Sequence, residues 1–313
     1  EKNKEKVLNK NINQILPEKH IKNNFKKEYG NSESHKFIIE LNKKEQKKWI
    51  DIRSSKIEYK NIDLKVLILV DITEQKKSEK EIKTISRRFF HHLSDVMIEN
   101  VACLYMNPAK IKRFVTFRNM EGLKSLYQKN KNITALVGHY GNWEFLTTAP
   151  PYTSYTILSV YKPLSNKFFD KKTYEMRERL DAVPVPMKKV YKAIIRYEQK
   201  KQPYILGMVA DQSPPKRDIN YWTNFLNQET AFFTGSEKIA KRFNHAVIFI
   251  VVHKIERGHY EVEFIKLFEN AKDAEENEIT EKYVRTLEQV IRDKPEYWLW
   301  SHRRWKHKRN PSK

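Results

Sequence analysis

The second half of the chain alternates short apolar runs with longer segments of helical spacing, and this alternation constrains the fold most strongly. Each run has the length of one strand and is rich in β-branched and aromatic residues. The runs lie at 133–137, 156–161, 204–210, 246–252 and 260–265. Strands that are apolar on both faces and alternate with helices are typical of a mainly parallel sheet covered on two sides. We therefore expect an α/β fold with a central sheet flanked by helices, whose last two strands form an antiparallel hairpin through Arg257 and Gly258.

The N-terminal part has a different pattern, in which polar and apolar residues alternate at strand spacing. After a polar segment over 1–30, this alternation occurs at 37–41, 49–53 and 64–70 and predicts three successive antiparallel strands. From Ser86 onward the spacing becomes helical. We expect two domains, a small α+β segment with a linker helix over 1–82 and a main domain over 83–313.

The end of the third predicted strand, Asp71-Ile72-Thr73-Glu74, resembles the close of a PAS sensor domain. The resemblance covers only about residues 10–82, because the preceding half of such a domain is absent. It therefore implies a partial PAS-like segment rather than a complete sensor pocket. A small unrelated three-stranded sheet is the alternative.

The charge of the chain predicts an anionic partner. There are 61 Lys and Arg against 39 Asp and Glu, a formal net charge of +22, which suits either nucleic acid or an anionic lipid surface. No stretch reaches the roughly 20 apolar residues of a spanning helix, so membrane contact is expected from one side. The single cysteine, Cys103, gives no disulfide framework and no thiolate metal site, which favours a reducing, cytoplasmic setting.

Polar, titratable residues follow the predicted strands at their carboxyl ends, where α/β sheets bind ligands. His139 and Glu144 follow the first of these strands in a His-x4-Glu pattern. A carboxylate that accepts the Nδ1 proton of an imidazole leaves Nε2 free to remove a proton from a hydroxyl. Gly141 permits the tight turn that such a pair needs. With no serine or cysteine nucleophile nearby, the pair predicts direct transfer between two bound substrates.

The spacing alone is weak support, because His35 and Glu40 reproduce it. That second pair lies on an alternating strand, where an odd offset of five puts the side chains on opposite faces. We therefore assign the chemistry to His139 and Glu144 only.

Six ordered blocks of the chain, spread from about Lys83 to Lys308, resemble the lipid A biosynthesis acyltransferases, the late lauroyl or myristoyl transferases of the lysophospholipid acyltransferase superfamily. The blocks are Arg88-Phe89-Phe90-His91-His92-Leu93, Val137-Gly138-His139-Tyr140-Gly141-Asn142-Trp143-Glu144, Val160-Tyr161-Lys162-Pro163-Leu164 with Asn166, Asp170, Arg177 and Arg179, Asp211-Gln212-Ser213-Pro214, Thr234-Gly235-Ser236-Glu237-Lys238-Ile239-Ala240, and Trp300-Ser301-His302-Arg303-Arg304-Trp305.

The resemblance implies a glycerolipid acyltransferase-like fold and an O-acyltransferase activity. His139 would be the general base and Glu144 its orienting acid, the donor would be an acyl thioester on acyl carrier protein, and the acceptor a hydroxyl of a phosphorylated lipid A precursor. No metal or cofactor is implied. The family setting would be the cytoplasmic face of the inner membrane, where the basic charge meets anionic lipid and the acidic carrier protein.

Further residues of these blocks are candidates for substrate binding. They are Asn142, Lys162, Arg177, Arg179, Asp211 and Gln212. For the cationic side chains the alternative is a solvated helix face, and for Asp211 it is the capping of a turn.

The chain departs from the family pattern at three places. Asp181 stands where the family usually has Gly, and Leu226-Asn227 stands where it often has Phe-Gly. The PAS-like segment occupies the place of the family's N-terminal hydrophobic helix. These departures affect loop geometry and membrane attachment rather than the His139 region.

Other functions fit fewer of the features. A lysophospholipid or aminolipid acyltransferase and a catalytically silent membrane-binding adaptor are the alternatives that we keep. A histidine kinase with His91 or His92 as phosphoacceptor lacks a glycine-rich ATP lid, since the chain has 7 glycines. The Trp- and Arg-rich segment 298–309 suits a lipid headgroup layer or core packing, and because no nucleic-acid-binding module accompanies it, no nucleic-acid partner is expected.

Overall fold

The computed structural model describes residues 35–43, 46–59 and 62–309, and its contacts divide the chain into two units, Glu1–Thr84 and Ile85–Lys313. The division falls two residues after the predicted boundary at 82. Within the described residues, no helix combines the length and the apolar character that crossing a membrane requires.

The first unit contains a three-stranded antiparallel sheet. Its strands, β1 His35–Lys43, β2 Gln46–Tyr59 and β3 Ile62–Asp71, pair in the order β1-β2-β3. The three antiparallel strands predicted from alternation are thus confirmed. The polar segment 1–30 lies outside the described residues.

Seven α-helices and nine further strands follow in the part of the chain that the structure describes, joined by turns and short 3-10 helices. In chain order they are α1 Thr73–Tyr105, α2 Pro108–Ile111, β4 Val115–Arg118, α3 Met120–Gln128, β5 Ile133–Val137, β6 Thr156–Tyr161, α4 Lys167–Arg179, β7 Val183–Pro186, α5 Val190–Gln199, β8 Tyr204–Val209, β9 Tyr221–Phe225, β10 Gln228–Phe232, α6 Gly235–Phe243, β11 Ala246–Glu256, β12 His259–Phe268 and α7 Glu278–Asp293.

The central sheet of the second unit has seven strands in the order β4-β12-β11-β5-β8-β6-β7. All neighbours run parallel except β11 and β12, which form the predicted hairpin around Gly258 at φ 80°. The expected α/β fold with a mainly parallel sheet is confirmed. Strand β5 lies in the middle of this sheet, so the loop after Val137 lies at the centre of the carboxyl edge of the sheet.

The sequence analysis did not predict four of the described strands, β4, β7, β9 and β10, and each omission has a physical reason. Strand β4 has only four residues. Strand β7 reads Val-Pro-Val-Pro, and its prolines argue against a strand; it forms because it lies at the edge of the sheet, where the missing N–H of proline is tolerated. Strands β9 and β10 form a separate hairpin whose turn residues, Leu226 and Asn227, have φ 50° and 62°. Their sequence lacks the Asn-Gly signature that usually marks such a turn.

Alternate residues of the central strands pack into two cores, one on each face of the sheet. Ile133, Ala135 and Val137 of β5 belong to one core, which also holds Cys103 of α1. Leu136 faces the other core, which is filled by one side of helix α7. Because β5 is buried on both faces, its end is fixed rigidly where the catalytic candidates begin.

Candidate active site

The loop after β5 carries His139 and is shaped by Gly141. Gly141 has φ 60°, and a Cβ atom there would lie 2.2 Å from the backbone oxygen of Val252. Only glycine combines this conformation with so close an approach to a neighbouring strand. The predicted glycine turn at Gly141 is therefore confirmed, but it does not bring Glu144 to the His139 ring.

Asp211, at the carboxyl end of the neighbouring strand β8, orients the His139 ring. Its Oδ1 lies 2.5 Å from Nδ1 of His139, and its Oδ2 accepts the backbone N–H of His139 and the indole N–H of Trp298, each at 2.9 Å. Asp211 is only 3% exposed. Burial raises the pKa of its carboxyl group, but the charge and hydrogen bond of His139 and the Trp298 indole outweigh burial, so the pKa is lowered overall.

The remaining ring nitrogen of His139 faces Gln212. A carboxylate at Nδ1 fixes the proton on that atom and leaves the lone pair on Nε2. The amide nitrogen of Gln212 lies 3.3 Å from Nε2, and the Trp143 ring contacts the imidazole edge-on at 4.9 Å between centroids. The His139 side chain is 16% exposed, so the ring is partly shielded from bulk water.

Glu144 occupies a different place from the one expected. Its carboxylate forms a bidentate ion pair with Arg177 of α4, in which Nη2 donates to Oε1 at 2.8 Å and Nε donates to Oε2 at 3.2 Å, and both side chains are largely buried. The physical reason is that Nδ1 of His139 is already bonded to Asp211, while the short 3-10 helix Trp143–Thr148 carries Glu144 toward α4. This geometry corrects the expectation that Glu144 holds the ring, and its assignment as a catalytic residue stays a prediction.

The other predicted binding residues divide into two groups. Asn142 is fully buried, and its amide donates to Glu99 of α1 at 2.8 Å. Arg177 packs its guanidinium over the Tyr161 ring at 5.4 Å. The structure thus brings Asp211 and Gln212 to the His139 ring, whereas Asn142 and the Glu144–Arg177 pair connect the same loop to α1 and α4.

Arg179 and Lys162 lie outside this group. The Arg179 guanidinium donates to the backbone carbonyls of Leu104 and Met106, where it satisfies acceptors at the end of α1. Lys162 is exposed on the loop after β6. A contact between either side chain and substrate remains a prediction.

A later segment of the chain holds the His139 loop through its backbone. Leu299 N–H donates to the carbonyl of His139, and Gly141 N–H donates to the carbonyl of Tyr297, both at 3.0 Å. Tyr140 and Trp298 form an isolated antiparallel bridge between these bonds. Sequence analysis missed Trp298, although a buried indole N–H needs an acceptor and thus suggests a nearby polar group.

The tail that follows packs partly as core. Trp305 donates its indole N–H to Thr230 at 2.8 Å and joins the core beneath α7, whereas Trp300 is 38% exposed. Of the two roles considered for this segment, core packing is confirmed for Trp305.

The comparison with protein families agrees with these features. A family model described as bacterial lipid A biosynthesis acyltransferase matches residues 72–307. The match gives no support for the PAS resemblance, because it begins after the third strand. A comparison with curated proteins gives no match.

Proposed function

Because the chain belongs to the bacterial lipid A biosynthesis acyltransferase family, we propose that it transfers a fatty acyl group from an acyl carrier protein thioester to a hydroxyl of a phosphorylated lipid A precursor. The observation that carries this proposal is the His139 imidazole, which is bonded at Nδ1 to a buried carboxylate and whose side chain is partly exposed. This is the arrangement of a general base for an alcohol.

In the proposed reaction Nε2 of His139 takes the proton of the acceptor hydroxyl as its oxygen attacks the thioester carbonyl carbon. The tetrahedral intermediate then collapses, the carbon–sulfur bond breaks, and the departing sulfur takes the proton from Nε2. The products are an acyl ester and a free thiol, and no acyl-enzyme forms. The incoming hydroxyl would displace the side-chain amide of Gln212 from its position beside Nε2.

Asp211 supports the base in this scheme. Its lowered pKa keeps it ionised, so it fixes the Nδ1 tautomer and stabilises the imidazolium that forms when Nε2 takes the proton. The indole of Trp298 and the backbone N–H of His139 hold the carboxylate in place. Asp211 therefore takes the role that sequence analysis gave to Glu144.

Glu144 and Arg177 act together in the proposal. The bidentate pair fixes the guanidinium against Glu144 of the His139 loop, because the two parallel hydrogen bonds from Nε and Nη2 define its plane. We assign Arg177 the task of placing positive charge near the thioester oxyanion or a substrate phosphate, with Glu144 as its support. Asn142 lies behind this pair and holds the loop to α1.

The basic charge of the chain suits both proposed substrates. A net charge of +22 favours encounter with an acidic carrier protein and with a phosphorylated lipid in an anionic leaflet. We therefore propose a peripheral or monotopic location on the cytoplasmic face of the inner membrane.

The His139→Ala variant tests the reaction. Labelled acyl carrier protein thioester is incubated with a phosphorylated lipid A precursor, a lysophospholipid or an aminolipid, and transfer of label to lipid is measured. We expect transfer by the wild-type protein to the lipid A precursor and a loss of at least about 1000-fold in His139→Ala. His259→Ala, at an exposed histidine at the start of β12, is the control and should retain activity.

The alternatives give different results in the same assay. Transfer to the lysophospholipid or the aminolipid alone would show that this lipid, and not the lipid A precursor, is the acceptor. No transfer to any lipid would favour the catalytically silent adaptor. Normal turnover by His139→Ala would refute the general-base mechanism.

A further inference from the structure

The outward side of helix α1 is as apolar as its buried side. Phe90, Met97, Val101 and Tyr105 are 57–74% exposed and follow one another at intervals of seven, four and four residues, which places them on one helix face. The opposite face buries Phe89, His92, Val96 and Cys103. We call the four exposed residues the apolar stripe. Large apolar side chains aligned in this way indicate an interaction surface.

The charged residues of this part of α1 lie beside the stripe and are used for packing. Asp95 pairs with Lys254 at 2.8 Å and with Arg257 at 2.9 Å. Glu99 accepts hydrogen bonds from Asn142 and Tyr260. The stripe itself is free of charge over about four helical turns, or roughly 22 Å.

The start of helix α4 continues the apolar surface. Phe168 and Phe169 are 64% and 59% exposed, and Leu164 precedes them. Arg179 of the same helix is bonded to Leu104 and Met106, so α4 lies against the end of α1. Phe168 and Arg179 are eleven residues apart, close to three helical turns, so Phe168 lies on the same side of α4 as Arg179.

Lysines surround this extension. Lys162, Lys167, Lys171 and Lys172 lie between positions 162 and 172, where Asp170 is the single acidic residue. The Asp170 carboxylate accepts the backbone N–H of Leu164 at 2.8 Å and so shapes the loop. Glu175 pairs with Lys172 at 2.8 Å and lies 3.8 Å from Lys171, so four lysines against two carboxylates leave the rim over 162–175 with two positive charges in excess.

We propose that the apolar stripe, together with Leu164, Phe168 and Phe169, forms a lipid face that inserts into the headgroup layer of an anionic bilayer. Apolar side chains enter the acyl boundary while lysines remain at anionic headgroups, which is how amphipathic surfaces bind membranes from one side. A second copy of the chain is a poorer occupant, because it would bring the same cations to the rim. A bilayer brings the opposite charge.

The lipid face is joined to the catalytic loop by two contacts. Glu99 of α1 holds Asn142, and Arg177 of α4 holds Glu144. Glu99 is two positions from Met97 and Arg177 is nine positions from Phe168, so each contact lies on a side of its helix turned away from the lipid face. A lipid hydroxyl would therefore reach His139 past the width of one helix, roughly 10 Å. This step rests on the proposed function, whereas binding of the lipid face to a bilayer does not.

Vesicle co-sedimentation tests the lipid face. The wild-type protein is compared with a Phe90→Ser, Met97→Ser, Val101→Ser triple variant and a Phe168→Ser, Phe169→Ser double variant. Vesicles contain phosphatidylethanolamine with phosphatidylglycerol, or phosphatidylcholine alone. The control is Tyr191→Ser, Ile195→Ser, which removes two exposed apolar residues from another basic helix, α5.

We expect the wild-type protein to bind the anionic vesicles more tightly than the neutral ones, and each lipid-face variant to lose about tenfold or more in partition coefficient. The control should stay within about twofold. Circular dichroism establishes that each variant is folded. Unchanged partition in the folded lipid-face variants would overturn the proposal.

Sedimentation velocity tests whether a second copy of the chain, and not a bilayer, covers the lipid face. A wild-type dimer that becomes monomeric in the lipid-face variants, with unchanged vesicle binding, would assign this surface to self-association and overturn the proposal. Because co-sedimentation needs no acyl donor, strong vesicle binding by a protein without transferase activity would refute the proposed reaction and leave the lipid face intact.

Discussion

His139 illustrates how the orientation of one histidine ring is set by a residue far away in sequence. Asp211 lies 72 positions along the chain, on the strand next to β5, and reaches both Nδ1 and the backbone N–H of His139. Glu144 lies much closer in sequence but bonds to Arg177. The two carboxylates therefore have separable roles, one on the ring and one on the guanidinium.

Substitution of each carboxylate by its amide separates these roles. In Asp211→Asn the amide N–H would donate to Nδ1 and move the ring proton to Nε2, so we expect a loss of about 100-fold to 10,000-fold in kcat. In Glu144→Gln the tautomer is unaffected, and we expect a smaller loss, expressed mainly in KM. Steady-state kinetics of both variants gives the comparison.

The pH profile adds an independent readout for the same pair of variants. Asp211→Asn should change the acid limb of the kcat profile, because the imidazolium loses its carboxylate partner. Glu144→Gln should leave that limb in place. The reverse pattern would restore Glu144 as the partner of the base.

Sequence alone placed His139, the proposed base, in the fold but did not identify its Nδ1 partner. The His-x4-Glu spacing, the glycine turn and the strand exit placed His139 correctly at the carboxyl edge of the sheet. The identity of the Nδ1 partner depends on strand order, and nothing in the sequence shows that β8 is the neighbour of β5. Asp211 was therefore selected as a binding residue without its role.

At the scale of secondary structure, the end of helix α4 explains one departure from the family pattern. Asp181 has φ 64° and donates to Glu178, while Ala182 donates to Arg177, which together form a Schellman motif. This position favours glycine, the residue usual in the family. Aspartate is one of the few other residues that tolerates the left-handed conformation.

Replacing Asp181 by Gly should stabilise the protein. Glycine adopts the left-handed conformation without steric cost, so we expect the free energy of unfolding to rise by about 0.5–1 kcal/mol. Asp181→Ala should lower it by a similar amount. Denaturant unfolding measures both, and a more stable Ala variant than Gly variant would contradict the account.

The elements that sequence analysis missed share a cause. The run of β7 is broken by prolines that an edge position tolerates, and the β9–β10 turn places Leu226 at φ 50° without the usual turn residues. In both cases tertiary position overrides local preference. The long apolar runs were found because burial on both faces leaves a clear pattern.

For the whole molecule, two buried histidines link stability to pH. His245 is fully buried, with Nδ1 2.9 Å from Thr134 and Nε2 2.8 Å from Tyr204, whose hydroxyl donates to Glu198. This network fixes a neutral ring with its proton on Nε2. Burial lowers the pKa of His245 to about 4, and burial together with the charge of Lys254 lowers the pKa of His92 to about 4.

Acidification should therefore destabilise the fold. The unfolded chain binds a proton at each histidine near pH 6.5, whereas the folded chain binds it only near pH 4, so stability present above about pH 6.5 is lost as the pH falls. Between about pH 7 and 5 we expect each histidine to contribute a loss on the order of 2 kcal/mol.

The His245→Gln variant measures this contribution. Its free energy of unfolding, from urea titrations at both pH values, should fall less on acidification than that of the wild type. His259→Gln, at an exposed position, should keep the wild-type pH dependence. A direct check is the NMR titration of the His245 ring, and a titration midpoint near pH 6.5 would disprove the linkage.

The backbone bonds between the His139 loop and residues 297–299 also set the order of events during synthesis. The loop leaves the ribosome early, but the segment that fixes it begins at Lys294, 154 positions after Tyr140. A nascent chain halted between them would contain His139, Asp211 and Arg177 and still lack a formed catalytic loop. We therefore expect the proposed catalytic loop to take its final form only after translation has passed Leu299.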